Sequence, residues 1–127
     1  MVEEPIIIRP AHEIALEKLS GLKSESLWEK GSVKEYYSKL TYIFREYLEN
    51  RFDIQALEST SEQIITQLEK KDFDTGMNDD VRRVLQSADL VKFAKAKPVE
   101  EFHVESFEKL EAFVKTTKVS ASDTALD

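Results

Sequence analysis

The chain has no cysteine among its 127 residues, and it has only three glycines, three prolines and two histidines. Without cysteine it forms no disulfide, thiolate nucleophile or Cys-ligated zinc, and the redox compartment stays undetermined. So few turn-forming residues argue against long loops and against a β-sandwich. No apolar run approaches the roughly 18 residues of a membrane span, and the acidic N-terminus is unlike a secretory signal. The sequence therefore predicts a soluble, largely helical chain.

Basic charge is also scarce, because 18 Lys and Arg residues stand against 25 Asp and Glu residues, for a net charge of −7. Nucleic-acid binding needs clustered cations that displace counterions from phosphates. The adjacent basic pairs are Lys70-Lys71 and Arg82-Arg83, and acidic residues accompany both. We therefore expect no nucleic-acid partner. A helix-turn-helix DNA binder is the less favoured alternative, with the Arg82-Arg83 helix as its candidate reader.

The strongest pattern in the chain is an aromatic-rich segment, Val33–Phe52, with the sequence VKEYYSKLTYIFREYLENRF. Its apolar residues recur every three to four positions, which predicts a helix with a wide buried face. A chain of 127 residues is long enough to bury a core as one domain. We predict an all-α fold: a compact bundle of about five helices with this segment at its centre and the last helix beside it.

The first helix should begin at Pro10, because proline suits a first helical turn. We expect Gly21 to end it with a left-handed residue. A short piece over residues 24–30 then follows, and Gly31 provides a second stop. The sequence thus predicts two separate elements before the central helix.

Two capping boxes mark further helix starts. Ser32-x-x-Glu35 predicts the start of the central helix, and Thr60-x-x-Gln63 predicts the start of a helix over residues 61–71. In each box the hydroxyl accepts a hydrogen bond from a backbone N–H, while the longer side chain returns to the N–H of the cap.

The second half of the chain predicts two more helices. Asn78 or Asp79 can cap the first of them. That helix either runs unbroken or bends near residues 87–89, and we favour the bend because its apolar phase shifts there. Pro98 resets the chain, and a final amphipathic helix should extend to about Thr117.

The ends of the chain are expected to differ from the helical domain, which we place at residues 10–117. Residues 1–9 read as an extended lead-in, whose three isoleucines either pair as a strand or lie on the core. Residues 118–127 are small, polar and acidic, so we predict a disordered tail.

Candidate catalytic and metal-binding groups are few. His12 and His103 lie on different predicted helices without metal-ligand spacing. The paired carboxylates Asp79-Asp80 and Glu100-Glu101 fall in predicted first helical turns, where the helix dipole favours them. We therefore predict no catalytic residue, no cofactor and no metal. A small metal-dependent enzyme is kept as the alternative function, and zinc or iron in the purified protein would revive it.

Other side chains divide into structural residues and candidate contacts. Arginine beside an aromatic stripe can stack on a ring or brace a carboxylate. Tyr42 lies about 100° around the helix from Ile43, so its ring should reach the surface, where tyrosine often anchors interfaces. Asp89 and Lys92 are spaced to pair on a helix. The candidate partner contacts are Tyr42, Asp89 and Lys92, and the candidate structural residues are His12, Tyr36, Arg45, Tyr47, Arg51 and Phe93.

Three strings in order along the chain, PAHEIAL, YYSKL…REYLENRF and ADLVKFA, resemble one family. It comprises helical cytoplasmic domains of uncharacterised membrane-anchored proteins from bacterial Bat (aerotolerance-associated) gene clusters. Those clusters also encode a MoxR-type AAA+ ATPase and von Willebrand factor A-domain proteins. The chain departs from the family pattern at Asp53, where glycine is usual, which puts the geometry of the following linker in doubt.

The resemblance implies a membrane span upstream of Met1 and a location on the cytoplasmic face of the inner membrane. It implies no substrate. The expected function is therefore a non-enzymatic protein–protein interaction or scaffolding domain. Its expected partner is a MoxR-type ATPase, an A-domain protein or another copy of the chain.

Overall fold

A computed structural model describes residues 9–119, which form five α-helices joined by short connections. Within those residues there is no β-strand, so the all-α prediction is confirmed. A short 3-10 turn, Ala56–Glu58, precedes the third helix. The helices are α1 (Ala11–Glu25), α2 (Val33–Phe52), α3 (Ser61–Glu69), α4 (Thr75–Ala94) and α5 (Glu100–Thr117).

The central helix α2 lies between α1 and α4, and α5 closes the bundle by packing against α4 and α1. The shorter α3 packs on α4. The residues of α2 with almost no exposed surface include Tyr37, Leu40, Phe44 and Leu48, which recur at helical spacing as predicted. Burial of this wide face organises the core.

The helix α1 continues past Gly21, so the predicted stop there is wrong. Leu22 is buried one residue later and continues the apolar face. The helix ends instead at Glu25, and Ser26 caps it in the left-handed conformation with φ of 51°. Turns then lead to Gly31, whose φ of 90° suits a residue without a Cβ atom.

Of the two predicted capping boxes, only one forms. Thr60 and Gln63 exchange both hydrogen bonds at the start of α3, as predicted. Ser32 makes no side-chain cap hydrogen bond, because its backbone is not in the extended region that capping requires. Glu35 instead lies 3.3 Å from Lys39, one helical turn further on.

The helix α4 begins earlier than predicted and is unbroken. Asp74 caps it by accepting a hydrogen bond from the N–H of Met77, so neither Asn78 nor Asp79 is the cap. Hydrogen bonding continues through residues 87–89, and the favoured bend is therefore wrong. The chain reverses after Lys95, which takes a left-handed conformation, and α5 ends at Thr117 as predicted.

The predicted lead-in and most of the predicted tail, residues 1–8 and 120–127, lie outside the described residues. Among residues 9–119, none of the helices combines the length and the apolar character needed to cross a bilayer.

Candidate functional site

A buried polar cluster joins α2 to α5. The hydroxyl of Tyr36 donates to the carbonyl oxygen of His103 at 2.9 Å, and the hydroxyl of Tyr37 is hydrogen-bonded to His103 Nδ1 at 2.8 Å. The ring of Trp28 lies 5.1 Å from the imidazole. The hydrogen bonds of the two tyrosines hold α5 against α2, so the cluster is a structural brace.

Burial shifts the acid–base properties of that cluster. It raises the pKa of Tyr37 to about 12. The Ser106 hydroxyl offsets part of that rise. Burial also lowers the pKa of His103, against an opposing effect of the Glu100 charge. The two shifts favour the neutral forms of Tyr37 and His103.

The predicted structural residues at the other end of α2 contact the last turn of α5. The Tyr47 hydroxyl lies 2.8 Å from the Thr117 hydroxyl, and Arg51 Nε donates to the Thr117 carbonyl at 2.9 Å. Arg51 also lies over the ring of Phe52, at 4.7 Å from its centroid. These contacts fix the C-terminal ends of α2 and α5 to each other. His12 is half-buried in the first turn of α1, and its Nδ1 atom has no hydrogen-bond partner.

Three exposed apolar side chains, one on α2 and two on α4, accompany two half-buried cations, and we call this set the α2–α4 surface. Tyr42 on α2 is 52% exposed, while Leu90 and Phe93 on α4 are 55% and 81% exposed. Lys92 Nζ donates to the Thr41 hydroxyl at 3.4 Å, which brings the residues preceding Phe93 and Tyr42 into contact. The surface comprises Tyr42, Arg45, Leu90, Lys92 and Phe93.

The exposure of Phe93 contradicts its predicted structural role. Because α4 is unbroken, Phe93 lies two positions, or about 200°, beyond the buried Val91. Leu90 stands in the same relation to the buried Ala88. Both side chains therefore point away from the core. Helical periodicity in the sequence predicts both orientations once α4 is taken as an unbroken helix.

The two cations of the α2–α4 surface have no carboxylate partner within the described part of the chain. Arg45 donates to the Ser59 carbonyl and the Ser61 hydroxyl, and its buried Nε has no partner. Burial, and then the charge of Arg45, lower the pKa of Lys92. Asp89 opposes that shift but forms no salt bridge with Lys92, so the predicted pair does not form.

The alternative functions gain no site from the geometry. Across residues 9–119 there is no group of three or more His, Asp or Glu side chains placed to hold a metal ion. The candidate DNA-reading arginines are engaged by carboxylates: Arg82 pairs with Glu69, and Arg83 pairs with Glu105 at 3.1 Å. The exposed α2–α4 surface is therefore the best-defined candidate site.

Comparison of the chain with protein-family models, with curated proteins and with solved structures finds no match.

Proposed function

We propose that this protein is a non-enzymatic interaction domain that binds an acidic protein partner through the α2–α4 surface. The observation that carries the proposal is the exposure of Phe93, 81% of whose surface meets solvent on an unbroken helix. A large aromatic side chain turned away from the core contributes little to folding. It is well suited to burial in a partner, since aromatic residues are enriched at interface hot spots.

The charges around Phe93 favour an acidic partner. Lys92 is partly desolvated beside Arg45, and no carboxylate among residues 9–119 forms a salt bridge with it. Bringing like charges together in this way is unfavourable in the free protein. A carboxylate from a partner that pairs with Lys92 relieves the repulsion, so charge complementarity adds specificity to the apolar contact.

The resemblance to the Bat-cluster proteins suggests the first partners to examine. Under this proposal the domain works on the cytoplasmic face of a bacterial membrane as part of a membrane-anchored protein. It couples that protein to a MoxR-type ATPase or to a von Willebrand factor A-domain protein. Support for this extension comes from the strings that begin at Pro10, Tyr36 and Ala88.

The test is affinity capture from a bacterial lysate with three baits. The first is the unaltered chain, and the second carries Lys92→Gln and Phe93→Ala. The third is a matched control that makes the same kinds of change elsewhere, Lys34→Gln and Val99→Ala, where both residues are also exposed. Circular dichroism verifies that each bait is folded.

The expected result is a protein that is retained by the unaltered chain and by the control but lost from the Lys92→Gln, Phe93→Ala bait. Identical captured sets for all three baits would contradict the proposal. Binding of anionic phospholipid vesicles that depends on Phe93, without a protein partner, would assign the surface to a membrane instead.

A further inference from the structure

A cleft of about 160 Å³ lies on another side of the bundle, between the end of α1, the following turn, the start of α2 and α5. Trp28, Tyr36 and Phe107 form its aromatic walls. Most cofactor pockets enclose roughly 300–1,000 Å³, whereas a cavity of roughly 150 Å³ holds one benzene molecule. The cleft therefore has room for a single group of side-chain size.

Carboxylates dominate the rim of the cleft, which Glu29, Glu108 and Glu111 line. Glu111 lies 3.7 Å from Lys115. Glu29 and Glu108 form no salt bridge with any residue from 9 to 119. Burial raises the pKa of Tyr36, with smaller contributions from Tyr37 and from the charge of Glu29. The rim thus offers two uncompensated negative charges.

A cation already lies against this aromatic wall. The ammonium group of Lys23, the one lysine that lines the cleft, is 6.0 Å from the centroid of Phe107. That distance is at the outer limit of cation–π attraction. Because Lys23 is exposed and forms no salt bridge with residues 9–119, an incoming cation can displace it.

We propose that the cleft binds an arginine side chain of a partner protein, with the guanidinium stacked on Trp28 and Phe107 and its N–H groups directed to Glu29 and Glu108. Arginine fits better than lysine because its planar, weakly hydrated cation stacks on aromatic faces and bonds carboxylates in a fork. This inference goes beyond the proposed function, since the cleft shares no residue with the α2–α4 surface.

The walls of the cleft are held in place before any ligand arrives. Tyr36 is fixed by its 2.9 Å hydrogen bond to the His103 carbonyl, and Trp28 packs on the imidazole ring of the same residue. Phe107 is 7% exposed and anchored in the core. A rigid site loses little conformational entropy on binding, which favours recognition of even one side chain.

The test uses the intrinsic fluorescence of the full chain, because Trp28 is its only tryptophan and lines the cleft. The chain is titrated at constant ionic strength with N-acetyl-arginine amide, and with N-acetyl-glutamine amide as the neutral probe. We expect a saturable fluorescence change with the arginine probe alone. No saturation up to about 100 mM, or an equal response to both probes, would overturn the proposal.

Variants with opposite expected effects sharpen the test. Glu108→Gln should weaken binding of the arginine probe about threefold, because it removes one attractive charge. Lys23→Gln should strengthen binding about threefold, because it removes the competing cation. Glu58→Gln, an exposed site on the 3-10 turn, is the control and should change nothing. Unchanged or weaker binding by Lys23→Gln contradicts the proposal.

A final variant separates this inference from the proposed function. Phe93→Ala should leave the fluorescence titration unchanged, because Phe93 does not line the cleft. Loss of the fluorescence response in that variant would contradict an independent cleft. Failure of the partner capture together with an intact titration would leave the arginine site standing and remove the α2–α4 proposal alone.

Discussion

Replacing Tyr37 by phenylalanine tests the brace between α2 and α5. Tyr37 has 0% of its surface exposed, and its hydroxyl is bonded at 2.8 Å to His103 Nδ1, itself in a residue that is 4% exposed. Tyr37→Phe keeps the ring and leaves that nitrogen buried without a partner. An unsatisfied buried polar group costs about 1–3 kcal/mol in the free energy of unfolding.

The corresponding loss in Tm is about 4–12 °C, since 1 kcal/mol is worth about 4 °C in a domain of this size. Thermal unfolding followed by circular dichroism measures it. Tyr42→Phe is the matched control on the same helix, because it removes an exposed hydroxyl and should alter stability by less than about 0.5 kcal/mol. Equal losses in the two variants would refute the reasoning.

Three further predictions concern charge and backbone. Because burial lowers the folded-state pKa of His103, its neutral ring adds stability at pH values above about 6.5, and that stability falls as the pH drops through the folded-state pKa. His103→Asn should reduce the difference between the free energies of unfolding measured in urea near pH 7 and near pH 5. Gly21→Ala should raise the free energy of unfolding by about 0.5–1 kcal/mol, because Gly21 is inside α1 and no atom lies within 4 Å of an added Cβ; urea unfolding measures this, and a loss of stability would contradict it. Lys92→Met should raise Tm, because it removes a desolvated charge near Arg45. The same change should weaken capture of the partner. A lower Tm would contradict the unfavourable effect of the Lys92 charge in the free protein.

The elements that could be predicted from the sequence are those specified by local pattern. The apolar recurrence in Val33–Phe52 predicts its bounds because one face must be buried along its whole length. Thr60 and Gln63 cap α3 because both partners lie within one turn. Ser32 has the same local pattern and fails, because the preceding turn fixes its backbone outside the extended region.

The candidate site was only partly predictable, because local pattern does not specify contacts between residues far apart in the sequence. The surface position of Tyr42 follows from helical geometry alone. The hydrogen bond between Tyr37 and His103 joins residues 66 positions apart, which no local spacing encodes. The orientation of Phe93 depends on whether α4 bends, and α4 is an unbroken helix that packs on α2, α3 and α5.

Hydroxyl-radical footprinting of Tyr42 and Phe93, in the presence and absence of the captured partner, tests the central claim most directly. Both rings are exposed in the free chain and should be oxidised readily. The half-buried Phe73, which packs on Phe52 at the C-terminal end of α2, serves as the internal reference. The account predicts that the partner protects Tyr42 and Phe93 and leaves the rate at Phe73 unchanged. Undiminished oxidation of Phe93 in the complex would contradict it.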